Sequence, residues 1–522
     1  MTRASFTPDP ITQGAVLVAE RRQAAPSGFA ALEGASSYAH PYDAQPEISG
    51  GAEPASEQLE RRTSAPKPAR RLGERWNLWL LLGLLRQIIR VGSLTIIDPA
   101  GEYHTVGRGE PSVTVRISRW RTAQRIALNP DMAFGEAFMD GTLRVEKGDV
   151  AGLLDLCLKN IALQKGHWIQ RIRQQVRHAL RRIAQHNPVA VARANVAHHY
   201  DLSDRLYELF LDADKQYSCA YFRSPDDSLE VAQAQKKRHI AEKLLLRAGQ
   251  TVLDIGSGWG GLALYLAEHA RVDVTGITLS TRQHEYAAKR AAESGIPARV
   301  RFHLQDYRHA TNTYDRIVSV GMFEHVGVGH YREYFRKIAS LLTDEGVALV
   351  HTIGAADGPG AAHPWIERYI FPGGYTPALS EIVPMIEQAG LCITDIEVLR
   401  LHYAETLKAW RQRFVANRHK LEPIYDDRFC RMWEFYLAGC EAAFRHSGLV
   451  VFQIQLAKRI DAVPITRDYL THSSCPSGAS DLGEISVHSM TPQPTEFLSS
   501  SPDPAAVGLD PTQCPSGYPG HH

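Results

Sequence analysis

The sequence predicts an α/β protein. Its main part is a mostly parallel, seven-stranded sheet carrying a helical insert, with a small α+β unit before it and disordered ends. Three observations predict this. From Gln250 onward, short apolar runs alternate with helical ones. A glycine-rich turn, 256–261, follows directly on the first of those runs. Both ends of the chain are rich in Pro, Ser and Gly and lack a sustained apolar period.

The bulk numbers set bounds on function. A length of 522 residues allows two or three domains, and 44% hydrophobic residues permit a sizeable core. Lys and Arg number 58 against 57 Asp and Glu, a net charge of +1, which argues against a nucleic-acid binder held by bulk positive charge. Seven cysteines form no CxxC pair, so a reducing compartment is expected and a structural zinc site is not; no metal ligands are assigned. The first fifteen residues, MTRASFTPDPITQGA, lack the apolar stretch of a secretory signal.

Taken in order, residues 1–75 read as a disordered arm. Trp76–Ile89, WNLWLLLGLLRQII, is the most apolar run. It is shorter than the roughly 20 residues a spanning helix needs, so it is a core or interfacial helix. Leu94–Asp98 and Val113–Ile117 alternate as strands around a Pro99-Ala100-Gly101 turn, giving a small domain over 76–160. Between Leu156 and Tyr200 there is no acid, while Lys159, Lys165, Arg171, Arg173, Arg177, Arg181, Arg182 and Arg193 accumulate. Trp168, Ile169, Ile172, Val176, Leu180 and Ile183 recur through it at helical spacing, so 161–196 reads as a basic amphipathic linker facing either solvent or anionic head groups. Strands are then expected at Thr251–Ile255, Val272–Ile277, Arg299–Leu304, Arg316–Val320, Val347–Thr352, Cys392–Leu399 and Val450–Ala457. The helical insert, roughly 404–446, lies between the last two, and the main domain spans 197–465. The tail, 466–522, reads as disordered.

The glycine turn admits two ligands. As GxGxxG (Gly256, Gly258, Gly261) it fits a dinucleotide, and as DxGxGxG (Asp254, Gly256, Gly258, Gly260) it fits S-adenosylmethionine. A dinucleotide site wants an acid at the end of the second strand, and Gly276-Ile277-Thr278-Leu279-Ser280 offers none. Asp254 inside the first strand also needs a purpose, so S-adenosylmethionine is favoured.

A set of motifs in order carries a resemblance: YSCAYF at 217–222, LDIGSGWGG at 253–261, TLSTRQHEYA at 278–287, QDYR at 305–308, GMFEHVG at 321–327, HTIG at 351–354, ERYIFPGGYTP at 367–377, HYAETLKAWRQRF at 402–414 and RMWEFYLAGCEAAF at 431–444. The chain from Ala197 to Lys458 resembles the cyclopropane-fatty-acyl-phospholipid synthase family, which includes the mycolic-acid cyclopropane synthases. The resemblance implies a Rossmann-like class I methyltransferase and a lipid-binding role for the small domain. It implies S-adenosylmethionine bound by Tyr217, Ser218, Asp254, Gly256, Gly258, Thr278, Gln283, Gln305 and Asp306. It also implies a bicarbonate ion, acting as base, among Cys219, Glu324, His351, Tyr403 and Cys440. Glu324 is expected to orient His351 or to accept the bicarbonate proton. Tyr221, Phe222, Tyr369, Phe371 and Tyr375 are expected near the site, mostly as pocket lining.

The implied reaction moves a methylene to a cis alkene of a phospholipid acyl chain. Its variant methylates the alkene without closing the ring. Methylation of a small molecule or nucleic acid, and a lipid-binding scaffold with a decayed site, fit the motif set less well. The implied setting is the cytoplasmic, inner face of a membrane, with a phospholipid surface as partner, no nucleic acid, and a possible homodimer.

Overall fold

The computed structural model describes residues 72–163 and 202–470. The expected arm up to residue 71, the expected linker from residue 164 on with all seven of its basic residues, and the tail from 471 lie outside the described residues, as does everything over 164–201.

The large sheet has seven strands: β5 (Thr251–Ile255), β6 (Asp273–Thr278), β7 (Val300–Leu304), β8 (Tyr314–Val320), β9 (Leu342–Ala355), β10 (Cys392–Leu399) and β11 (Leu449–Ala457). Their order is β10-β11-β9-β8-β5-β6-β7, and β11 alone runs antiparallel to its neighbours. Strand β5 is buried at every residue after Thr251, as a central parallel strand covered on both faces must be. One face packs Ile338, Phe335 and Ile382, and the other packs Leu262, Leu266 and Ile240. Strand β9 begins five residues before the expected Val347. Its start, Leu342-Thr343-Asp344-Glu345-Gly346, pairs through a register shift and is largely polar, so no alternation marks it in the sequence.

The turn after β5 explains its glycines. Gly256 and Gly260 have φ of +85° and +82°, and a Cβ on Gly260 would lie 2.6 Å from the Phe302 ring. Only glycine meets both demands. The helix Thr281–Glu293 that follows β6 starts because Ser280 Oγ accepts from the Gln283 N–H at 3.3 Å.

The small unit is a four-stranded sheet, β2 (Tyr103–Arg108), β1 (Gly92–Ile97), β3 (Ser112–Ile117) and β4 (Leu143–Lys147), in that order. Asp98 builds its hairpin: Oδ1 accepts from the N–H of Ala100 at 2.8 Å and of Glu102 at 2.9 Å. Helix α1 (Leu72–Ile88) starts four residues before the expected apolar run. It is core and surface at once, with Leu78, Leu81 and Leu82 buried and Trp76, Trp79 and Leu80 exposed. A 14-residue helix, Val150–Leu163, follows β4.

The insert consists of the helices His402–Asn417 and Asp427–His446. The second closes onto the small unit. His446 meets Asp155 at 2.6 Å, Arg431 donates to the Met139 carbonyl at 2.7 Å, and Phe435 packs on Phe134 and Phe138. Residues 466–470 are ordered rather than part of a disordered tail. Arg467 pairs with the buried Asp395 of edge strand β10, and the Tyr469 hydroxyl donates to Gln455 at 3.2 Å. Among the described residues no helix is long and apolar enough to cross a membrane.

Candidate active site

Two cavities meet at the C-terminal ends of the parallel strands, where open α/β sheets bind ligands. The first, about 150 Å³, is lined by all nine residues implied for the cofactor: Tyr217, Ser218, Asp254, Gly256, Gly258, Thr278, Gln283, Gln305 and Asp306. Its polar groups suit a zwitterionic nucleoside. Asp254 is buried and its Oδ2 has no hydrogen-bond partner, as has Ser257 Oγ. Burial lifts the Asp254 carboxyl to about 7, against the pull of the nearby Lys236. Thr278 Oγ1 donates to Gln283 Oε1 at 3.0 Å, closing the end of β6 with neutral groups where a dinucleotide site would place an acid. Asp306 is more constrained than its motif suggests. Arg308 grips both its oxygens, at 2.9 and 2.8 Å, which outweighs burial and holds its carboxyl below the usual range. The residues therefore fit S-adenosylmethionine: a glycine turn on which a Cβ at Gly258 would enter open space beside the cavity, and orphaned acceptors lining it.

The second cavity is about 530 Å³, on a measure by which one water takes roughly 10–15 Å³. It runs between the small unit and the main domain. Leu81, Leu84, Leu85 and Ile88 of α1 line it at i, i+3, i+4 and i+7, which is one helix face. The small sheet adds Leu94, Ile96, Val115 and Ile117, and Trp365, Ile366 and Phe435 close the other side. At one place this apolar wall gives way to polar side chains. Cys219, Glu324, His351, Tyr403 and Cys440, five residues spread over 222 positions of sequence, all line this cavity. Tyr217, Ser218, Gly321 and His325 line both cavities and are the wall between them.

The protonation of the five follows from burial. Glu324 Oε1 accepts from the Ile353 N–H at 2.6 Å, while Oε2 has no partner. Burial lifts this carboxyl to about 7, opposed by that N–H. His351 is pushed down to about 3, first by burial and then by Lys236 and Lys243, so it is neutral. Its Nδ1 lies 3.1 Å from Gln453 Nε2, and an amide donor there leaves the ring proton on Nε2. Glu324 does not orient His351, contrary to one of the two expectations for it. Gln453, across the β9–β11 ladder, does so instead. Burial raises the Tyr403 hydroxyl and the Cys219 thiol, and takes Cys440 up to about 12, so all three are protonated at neutral pH. Neither cysteine is a nucleophile in this state.

The five aromatics divide. Phe371 and Tyr375 line the apolar cavity. Tyr221 instead stacks between His239 and His402, at 4.3 and 4.8 Å, Phe222 stacks on His402, and the Tyr369 hydroxyl donates to Glu136 at 2.9 Å. The sequence reading missed Gln216 and His325, which line the cavities, and Lys236 and Gln453, which hold the lining residues Ser218 and His351. His325, lowered to about 4 by burial, adjoins Glu324 in the quoted GMFEHVG motif and was within reach. Lys236 and Gln453 sit in a helix and a strand and gain their roles only from packing.

A class I sheet with this glycine turn, this acceptor set and a lipid-sized cavity beside it defines an S-adenosylmethionine-dependent methyltransferase. The family described as mycolic acid cyclopropane synthetase matches residues 189–454, and the chain belongs to that family. A probable fatty acid methyltransferase of Pseudomonas putida is 37% identical over 357 residues, 67% of this chain and 88% of its own. The cyclopropane-fatty-acyl-phospholipid synthase of Escherichia coli K12 is 36% identical over 355 residues, 68% of this chain and 90% of its own. The solved structure of the cyclopropane synthase MmaA2 from Mycobacterium tuberculosis has a TM-score of 0.50 at 33% identity, covering 52% of this chain and 99% of that one.

Proposed function

We propose that this enzyme transfers a methylene from S-adenosylmethionine to the cis double bond of unsaturated acyl chains in membrane phospholipids, closing a cyclopropane ring with bicarbonate as base. One observation carries the reading: five polar side chains meet in an otherwise apolar cavity that shares a wall with the cofactor cavity. Bound S-adenosylmethionine supplies an activated methyl group. An alkene has no acidic proton and is a weak nucleophile, so alignment in a dry site is most of what the protein contributes. Methyl transfer leaves a cation on the acyl chain, and ring closure requires loss of a proton from the new methyl.

Glu324, lifted to about 7, is the one of the five that titrates near neutral pH, and it takes the bicarbonate proton; the other four are poor bases there. The thiols and phenol are protonated, and His351, at about 3, is a weak base. A small oxyanion is therefore the base that this donor set suits. His351 Nε2–H and the Tyr403 hydroxyl donate, and Glu324 Oε2, lacking a partner, accepts. An ion with one O–H and two accepting oxygens matches that count, and bicarbonate is such an ion. Its negative charge also stabilises the cation.

The membrane part of the reading draws on α1. The face of that helix opposite the cavity carries Trp76 and Trp79, 61% and 59% exposed. Aromatic rings so placed suit a bilayer interface, and the basic run beyond residue 163 suits anionic head groups. The small unit then holds part of the acyl chain, and the enzyme works on the cytoplasmic, inner face. Assembly as a homodimer belongs to the same proposal and is checked by sedimentation equilibrium.

A second reading, methylation without ring closure, is kept because the name of the Pseudomonas putida relative, probable fatty acid methyltransferase, mentions no ring. The two differ in which carbon loses the proton. Vesicles of monounsaturated phospholipid, incubated with the enzyme and labelled S-adenosylmethionine, distinguish them. Ring closure adds CH2 per double bond, removes the olefinic protons and gives high-field ring protons in NMR. Retained vinyl protons would favour the second reading, and no label in lipid would sink both.

A further inference from the structure

We propose that Lys236 is a positioning residue for the amino-acid end of the cofactor, setting the direction in which Ser218 presents its hydroxyl proton to the cofactor cavity. The inference rests on the S-adenosylmethionine reading of that cavity and concerns a residue that does not line it.

Lys236 lies on the helix Leu229–Lys243 and is completely buried. A buried ammonium is costly unless it is paired. Among the described residues no carboxylate lies within 4.0 Å of its Nζ. It donates instead to two neutral oxygens, Ser218 Oγ and Gln216 Oε1, each at 2.7 Å. One turn earlier on the same helix, Gln233 Nε2 donates to the backbone carbonyls of Gln216 and Ser218, at 3.2 and 3.0 Å. The helix thus grips the loop twice, once by its backbone and once by its side chains.

An ammonium has donors and no lone pair. Ser218 Oγ must therefore be the acceptor in that contact, and its own proton is free to point elsewhere. Gln216 is fixed the same way: Oε1 faces the lysine, so Nε2 faces Asp214 Oδ2, at 3.1 Å. Both side chains line the cofactor cavity. With the lysine neutral or absent, Ser218 would be free to turn its proton inward.

Of the surrounding charges Asp212 pulls most on Lys236, and the remaining ones are engaged elsewhere or neutral. Asp214 is taken by Lys237 and Arg290. The Asp212 carboxylate accepts from the backbone N–H of Gln216 at 2.9 Å and of Asp214 at 3.1 Å. Cys219 is a neutral thiol and His351 a neutral imidazole. Asp254, across the cavity, carries the orphaned Oδ2. A cation working through a hydroxyl on one side and an acid on the other suit an α-amino acid zwitterion, with its carboxylate toward Ser218 and its ammonium toward Asp254. Burial, against the pull of Asp212, pushes the Lys236 ammonium down to about 8, so its charge is lost within an accessible pH range.

The test is calorimetric binding of two probes, S-adenosylhomocysteine and 5′-methylthioadenosine, which lacks the amino-acid end. Lys236→Met should weaken S-adenosylhomocysteine by roughly tenfold to a hundredfold, the range for a hydrogen bond to a charged group. It should change methylthioadenosine affinity by less than about twofold on the same scale. Lys236→Arg, charged at every pH used, should restore most of the loss. Compared with that variant, the wild type should lose additional S-adenosylhomocysteine affinity between pH 7 and pH 9, because the ligand's own titration is common to both. Thermal melts establish that each variant is folded. Equal weakening of both probes would make Lys236 a mere prop for the loop and overturn the inference, as would unchanged S-adenosylhomocysteine binding. A wild-type protein that bound neither probe would overturn the cofactor reading itself.

Discussion

Replacing Glu324 with Gln should abolish turnover and yet stabilise the protein, increasingly so as pH rises. The structure supplies the magnitude. Burial lifts this carboxyl from 4.5 to about 7. At about 1.4 kcal/mol per pH unit the shift corresponds to roughly 3 kcal/mol. The sign follows from linkage. The folded protein holds a proton on Glu324 where the unfolded chain has released it. The stabilisation is full below pH 4.5, falls as pH rises through that interval, and is gone above about 7. Gln cannot titrate, keeps the same shape, and retains an oxygen for the Ile353 N–H at 2.6 Å. The variant should therefore gain on the wild type across pH 4.5–7 and hold a constant lead above it. At roughly 1 °C per kcal/mol for a chain of this size, the lead is about 3 °C in melting temperature. The assay is a series of thermal melts of both proteins from pH 5 to pH 8.5, with S-adenosylhomocysteine affinity measured alongside. Parallel stability curves would refute the claim that Glu324 is a buried carboxyl with an unmet oxygen. Loss of S-adenosylhomocysteine binding would move Glu324 into the cofactor site.

Two further outcomes are expected. Trp76→Ser with Trp79→Ser should reduce co-sedimentation with phospholipid vesicles at all salt concentrations, whereas Gln at Arg177, Arg181 and Arg182 should reduce it only at low salt and with anionic lipid. Unchanged sedimentation in either set removes that segment from the membrane reading. Gly260→Ala should destabilise the protein by roughly 2–4 kcal/mol, combining left-handed backbone strain with overpacking. The added methyl would sit 2.6 Å from Phe302. A melting temperature within a degree of wild type would show that the turn can relax.

The sheet was legible because its information is local. A central strand such as Thr251–Ile255 is apolar throughout, and the glycines that follow it mark the turn by themselves. The five polar side chains were legible only through the resemblance, since singly each looks like ordinary core. What stayed hidden is what packing creates. No spacing links Gln453 to His351, yet 102 positions apart they sit opposite each other on adjacent strands. Lys236 reads as one more charge in a polar helix, and only tertiary structure buries it. Of the two roles expected for Glu324, only the orienting of His351 lacks a contact here, for the same reason: the backbone N–H that claims Glu324 belongs to Ile353, two residues further along the strand. Tyr221, Phe222 and Tyr369 are close in sequence to site residues, but their rings turn toward histidine and carboxylate partners elsewhere.

The apolar cavity between the small unit and the main domain has a thermodynamic side. On the proposed function, an acyl chain in the cavity of about 530 Å³ would pack against its leucines and isoleucines and add dispersion contacts to the core. A ligand that binds only the folded state adds RT ln(1 + L/Kd) to stability, where L is the free ligand concentration. On that proposal the hydrocarbon would extend the hydrophobic core as well as react. The folded protein is expected to be most robust in the presence of its lipid and least robust when delipidated, which ties the lifetime of the enzyme to the supply of its substrate.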